Sequence, residues 1–368
     1  MKKTIIFLVT IFFFAGAVFS QNIEQKAKDG NVQAMYDLAQ EYYSGIGRIQ
    51  NQANALVWFE RAANKNHIES MYRTAQMYEK GISTPVNLRI AFNYYLQAAE
   101  KGHFISQLIV AQKLEKGEGV MRSDSRAYLW YRVCADRDEV LACRKMGDYF
   151  RDGRVVTKDH STAKYWYDKA IAKGDIDSKS SLAYLYIANE GLAPNNIEAA
   201  KLNKEPFEQK IPLAYYVEGI INMGEGGNAK KAFECLLKAK QLGIQQANYP
   251  LSIIYFKGEG TNKNVTEAFK IMETLPKEYD SEIGYIMGFA YQNGNGVDVN
   301  FSKALQFYTN SANGGNPEAC KAIAKMYENG LGVKKNLKQS KAWTKKAFDL
   351  ENPRPKSIVK KKATKKKR

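Results

Sequence analysis

The chain has 368 residues, 45% of them hydrophobic, and a formal net charge of +17. That is enough for two ordinary domains or one long array. Beyond residues 1–20 no stretch is long and apolar enough to cross a bilayer, which excludes a protein with several membrane spans.

Residues 1–20, MKKTIIFLVTIFFFAGAVFS, set two lysines before an apolar run that gives way to small residues. They read as a secretory signal peptide, cut before Gln21 with Val18 and Ser20 flanking the site. No cysteine follows the run to mark a lipoprotein. The expected location is therefore outside the inner membrane: periplasm, cell envelope or extracellular space.

From residue 31 the chain repeats itself. WFERAANKNH starts at Trp58, YYLQAAEKGH at Tyr94, WYRVCADRDE at Trp130 and WYDKAIAKGD at Trp166, each 36 residues after the last. A period of this size signals stacked helical units rather than separate domains. Each unit opens with a helix of about a dozen residues that stops at a glycine: Gly45, Gly81, Gly117, Gly153, Gly191, Gly224, Gly258, Gly294 and Gly330. A second helix follows. The count is nine antiparallel helix pairs over residues 31–352, preceded by a capping segment at 21–30. One pair cannot bury both of its faces, so neighbours must stack into an all-α solenoid.

Cys134 and Cys143 lie across one short turn and form a candidate disulfide in an exported chain. Cys235 and Cys320 have no evident partner and read as small buried residues.

The first helices follow A-x-x-x-L-[GA]-x-x-Y before the glycine turn, as in AMYDLAQEY at 34–42. The second helices follow A-x-x-[WF][YF]-x-x-A. This pattern resembles the Sel-one-like repeat, a relative of the tetratricopeptide repeat, over nearly all of residues 30–350. The resemblance implies a right-handed superhelix whose members act as adaptors holding other proteins, with the first helices lining the concave face. It weakens in units five and six, where Pro194, Pro206 and Pro212 intrude. The family includes exported members with a disulfide in each repeat, and four cysteines exclude this chain from them.

No catalytic set is legible. His67 and His103 are 36 residues apart at one repeat position, and His160 stands near a helix start. The glycine turns follow helices and lack the Lys-Ser/Thr of a phosphate loop. Asn264 and Asn300 sit in glycosylation sequons but also where second helices begin, which fits capping. No enzyme activity, metal or cofactor is expected.

A helical wheel with the tyrosine before each turn as zero places positions −6, −2 and +1 opposite the packed stripe. Units five to eight are apolar there. They carry Tyr184, then Tyr216 and Ile220, then Tyr249, Ile253 and Phe256, then Tyr285 and Phe289. Such a strip either binds a partner or is buried by tighter curvature of the degenerate units.

Residues 353–368 hold nine of the basic residues and no acid. Lys360, Lys361, Lys362, Lys365, Lys366, Lys367 and Arg368 form a hook for polyanions. An exported chain meets acidic envelope lipids and glycans sooner than nucleic acid. The leading expectation is a scaffold that holds a protein or peptide ligand in its groove. The alternative is a binder of envelope polysaccharide or peptidoglycan through aromatic stacking.

Overall fold

The computed structural model describes residues 22–188, 192–275 and 281–352. The leader, Gly191 and the basic tail lie outside them. Every element among the described residues is helical.

The chain divides into two compact units at Asn195/Asn196, within the single array expected from the sequence. The first begins with α1 (22–28). Four antiparallel pairs follow: α2 (Val32–Ser44) with α3 (Gln52–Asn64), α4 (Ile68–Lys80) with α5 (Leu88–Glu100), α6 (Phe104–Lys116) with α7 (Asp124–Ala135), and α8 (Val140–Asp152) with α9 (His160–Ala172). The unit closes on α10 (Ile176–Ile187). Each helix packs on the next.

The second unit opens on α11 (Asn196–Glu208). Its pairs are α12 (Pro212–Met223) with α13 (Ala229–Gln241), α14 (Asn248–Lys257) with α15 (Val265–Glu273), α16 (Ser281–Asn293) with α17 (Phe301–Asn313), and α18 (Pro317–Asn329) with α19 (Leu337–Glu351). A 3₁₀ turn, Gln245–Ala247, leads into α14. The division falls where the repeat pattern fails. Pro206 stands inside the last turn of α11, where it removes a backbone donor.

Local sequence explains the regular helix lengths. Asn51, Asn87, Ser123, Asp159, Asn228, Asn264, Asn300 and Asn336 each accept a hydrogen bond from a first-turn amide of a second helix. These are strong N-caps, and Asn264 and Asn300 serve as such. His67 and His103 do the same for α4 and α6, accepting through Nδ1 from the amides of Ser70 at 3.2 Å and Ser106 at 3.3 Å. First helices end on left-handed glycines such as Gly81 and Gly117. Gly224 departs from this and ends α12 in an extended conformation.

The cores are built from alanines and large aromatics. Phe59, Tyr95, Tyr131, Tyr149 and Tyr167 are fully buried in the first unit, Phe269 and Tyr308 in the second. Small residues on the first helices let these rings approach: a Cβ on Gly147 would lie 2.5 Å from the ring of Tyr167.

Candidate partner-binding surface

The face between successive first helices is organised by a three-residue layer that recurs at 36-residue spacing. In the second pair of the first unit it is Glu79, Tyr95 and Lys113. The hydroxyl of Tyr95 donates to Glu79 Oε2 at 2.7 Å, and Lys113, from the next first helix, donates to Glu79 Oε1. Lys113 is only 4% exposed. Burial opposes ionisation of Glu79, but the hydrogen bonds from Lys113 and Tyr95 hold its carboxyl below the usual range. Burial, with help from Glu79, pushes the Tyr95 hydroxyl far above its ordinary value.

The next pairs vary the theme. Tyr131 donates to Glu115 at 2.8 Å, and Lys145 reaches the same carboxylate at 2.9 Å. Tyr167 donates to Asp148 at 2.8 Å, with Arg151 beside it at 3.2 Å. In the second unit Tyr308 donates to Gln292 at 3.0 Å.

Other repeats replace both the tyrosine and its acceptor by apolar residues. The layer homologous to Glu79, Tyr95 and Lys113 is Tyr43, Phe59 and Met77 one repeat earlier. Tyr43 packs edge-on against Phe59, with ring centroids 6.3 Å apart, and Phe59 and Met77 share a core cluster. In the second unit it is Met223, Leu236 and Ile254, of which Leu236 and Ile254 share a core cluster while Met223 is exposed, then Phe256, Met272 and Ala290. The layers differ in kind: some are hydrogen-bonded, some apolar, and the Gln292–Tyr308 pair faces the fully buried Met326.

The eight strip residues do not form one uniform surface. Tyr184, in the first unit, is half-buried beneath the Arg151 guanidinium, 5.7 Å away. Tyr216 and Ile220 are half-buried against the Leu236–Leu251–Ile254 cluster. Tyr249 is half-buried in the neighbouring cluster. Ile253 is a correction: it is 5% exposed and belongs to the core with Ile283, Ile286 and Met287. Ile220, aliphatic at the same −2 position, stays half-buried, so the position alone does not decide burial.

Phe256, Tyr285 and Phe289 do come together. The ring of Phe256 stands edge-on to Tyr285 at 6.0 Å and to Phe289 at 5.5 Å. Lys263 lies over both phenylalanines, 5.2 and 5.7 Å from their centroids. All three rings are half-buried. They offer apolar edges with one cation beside them.

The remaining candidates resolve differently. Cys134 and Cys143 are free buried thiols, so the expected bridge is not formed. The Cys143 thiol is directed at the Ala135 carbonyl, 3.8 Å away, and burial pushes the Cys134 thiol up to about 11. The tail residues from Lys360 to Arg368 lie outside the described residues. Among those described, no group of three or more His, Cys, Asp or Glu could hold a metal ion. Among the described residues no helix is long and apolar enough to cross a membrane. In the first unit a cleft of about 610 Å³ lies at α1 and α2, lined by Lys26, Gln33, Asp37 and Gln40 among others.

The sequence reading missed the layer. Its signal was available in part: acceptor and tyrosine are 16 residues apart in Glu79/Tyr95, Glu115/Tyr131 and Gln292/Tyr308, although Tyr167 turns instead to Asp148.

The model of the Sel1 repeat matches residues 32–67, 68–103, 106–138, 140–175, 213–244, 245–274, 285–316 and 317–352. The gap at 176–212 brackets the unit division. Among solved structures, the chain is similar to a protective antigen present in uropathogenic Escherichia coli strains displaying an SLR fold. Identity is 23%, the TM-score 0.60, and the match covers 90% of this chain and 81% of that one. A Sel1 repeat protein from Oxalobacter formigenes is also similar, at 20% identity and a TM-score of 0.48, over 85% of this chain and 93% of that one. No curated protein matches the chain.

Proposed function

The chain belongs to the Sel1 repeat family, and on that premise we propose that it is an exported, non-enzymatic scaffold that holds a peptide segment of a partner protein. The family generally mediates protein–protein interaction and is generally non-catalytic. The observation that carries the reading is the half-buried cluster of Phe256, Tyr285 and Phe289 with Lys263 over two of its rings. Three aromatic edges in contact form an anchor site for one or two apolar side chains, and the lysine favours an acidic residue beside them. The basic tail adds a long-range attraction to acidic envelope surfaces.

The test is selection of a displayed random peptide library on the full chain at roughly 0.5 M salt, where tail-driven attraction is screened. The expected winners carry an aromatic or large aliphatic anchor near an acidic residue. They bind Phe289→Ser at least about tenfold more weakly. Selected peptides that bind a natively helical Phe289→Ser protein unchanged would sink the assignment. Enrichment by the same chain of glycan fragments, and not of peptides, would favour the polysaccharide reading.

A further inference from the structure

Three consecutive turns of the first unit hold large apolar side chains out in solvent. The fourth residue after the left-handed glycine is Ile49 after Gly45, Pro85 after Gly81 and Met121 after Gly117, and Val86 follows Pro85. Ile49 is 90% exposed, Val86 61% and Met121 88%. A lone exposed apolar residue is unremarked on any protein surface, but one on each of three consecutive turns is not. The fourth position elsewhere holds Thr157, Asn262, Asp298 and Lys334 after Gly153, Gly258, Gly294 and Gly330. At the fifth, Val86 has one exposed counterpart in the second unit, Val299.

The turns are neighbours in space as well as in register. A Cβ on Gly119, in the third turn, would lie 2.2 Å from the carbonyl oxygen of Leu88, at the end of the second. Helix pairs at packing distance put the three tips in a row roughly 20 Å long. The row is framed by cations. Segments 80–89 and 116–126 hold Lys80, Arg89, Lys116, Arg122 and Arg126 against Glu118 and Asp124, five minus two, or +3; Arg48 in the first turn is already paired with Glu24 and Glu41.

We propose that this edge of the first unit docks on an anionic lipid surface, with Ile49, Val86 and Met121 entering the headgroup–acyl boundary. Side chains that protrude this far need a partner that closes around them. Fluid lipid does so without a preformed hole, and the flanking cations complement anionic headgroups. The edge is distinct from both the Phe256 cluster and the tail.

The experiment is co-sedimentation of the full chain with vesicles of phosphatidylcholine, alone or mixed with phosphatidylglycerol. It is done in a background where the tail is neutralised by Arg→Gln at 354 and 368 and Lys→Gln at 356, 360, 361, 362, 365, 366 and 367. The tail-neutralised chain is expected to sediment with the anionic vesicles and only weakly with the neutral ones. Adding Ile49→Ser, Val86→Ser and Met121→Ser, all on exposed turns, should weaken that binding about tenfold or more with helicity unchanged. The proposal is overturned if the triple variant binds like its parent, or if the tail-neutralised chain does not sediment with anionic vesicles. Either result leaves the peptide site standing, because Phe256 and Phe289 are untouched.

Discussion

Replacing Glu79 by alanine removes two bonds at once, and the cost can be worked from the geometry. The hydroxyl of Tyr95, fully buried, loses its acceptor, an effect of about 1–3 kcal/mol. Lys113, 4% exposed, loses its nearest carboxylate and keeps only Glu118, 3.6 Å away and about half exposed. Deleting one member of a buried ion pair costs about 3–5 kcal/mol. The figure must be discounted here because Glu79 is itself 31% exposed and Glu118 takes over part of the charge. The net expectation is about 3 kcal/mol. A repeat array opens locally, so amide hydrogen exchange across α4 to α6 is the suitable assay. Exchange there should accelerate about 150-fold relative to the parent. The companion variant Glu79→Tyr, Tyr95→Phe, Lys113→Met copies the layer of Tyr43, Phe59 and Met77 one repeat earlier. It should recover to within about 1 kcal/mol of the parent, since a satisfied apolar layer replaces a satisfied polar one. The reasoning fails if the single variant changes exchange by less than about threefold, or if the triple variant is as labile as the single.

Three other outcomes are expected. Burial lowers the pKa of His67 despite the nearby Glu69 and Asp37, so the folded state releases that proton more readily than the unfolded one. The contribution of its neutral cap is then full above the ordinary histidine range and lost as pH falls below it. Thermal melts at pH near 7 and near 5 should differ less in His67→Asn, which has the cap residue of Asn31 and Asn316, than in the parent. Phe256→Glu should destabilise the second unit by about 2 kcal/mol by placing a carboxylate in an apolar layer. Adding Met272→Tyr, the partner 16 residues on, should recover about half of that, as read from a double-mutant cycle. Thiol titration should find the cysteines unreactive in the native protein, because burial pushes Cys134 and Cys235 up to about 11. All four should react after denaturation, whereas two would indicate a Cys134–Cys143 bridge.

The repeat and its caps were legible because they are local. Spacing of alanines and aromatics gives the helices, and Asn51, Asn87 or Gly81 state where each begins or ends. The aromatic strip was legible only as a list of positions. A wheel separates two faces of one helix, but the seam between successive first helices belongs to both neighbours. Ile253 lies in that seam and so is core, while Phe289, at the same wheel position, stays half-buried against Phe256. The fate of a −2 side chain depends on the residue across the seam, which the wheel does not contain. His67 read as repeat consensus, and its purpose emerged only when Nδ1 was seen accepting from Ser70.

The two links to Glu79 differ in ancestry as well as in strength. Tyr95 comes from the same repeat as Glu79, so the pair travels together whenever that repeat is copied or lost. Lys113 comes from the following repeat. A duplication or deletion of 36 residues therefore leaves every internal tyrosine bond whole and tests only the junction. A junction that brought Lys113 opposite Tyr43 would leave a buried cation without its carboxylate, whereas one that brought Met77 opposite Glu79 would resemble the layer of Gln292, Tyr308 and Met326 that the chain already holds. Such an array can change length most freely where the cut strands no buried charge, and the positions of its buried cations mark where insertion is costly.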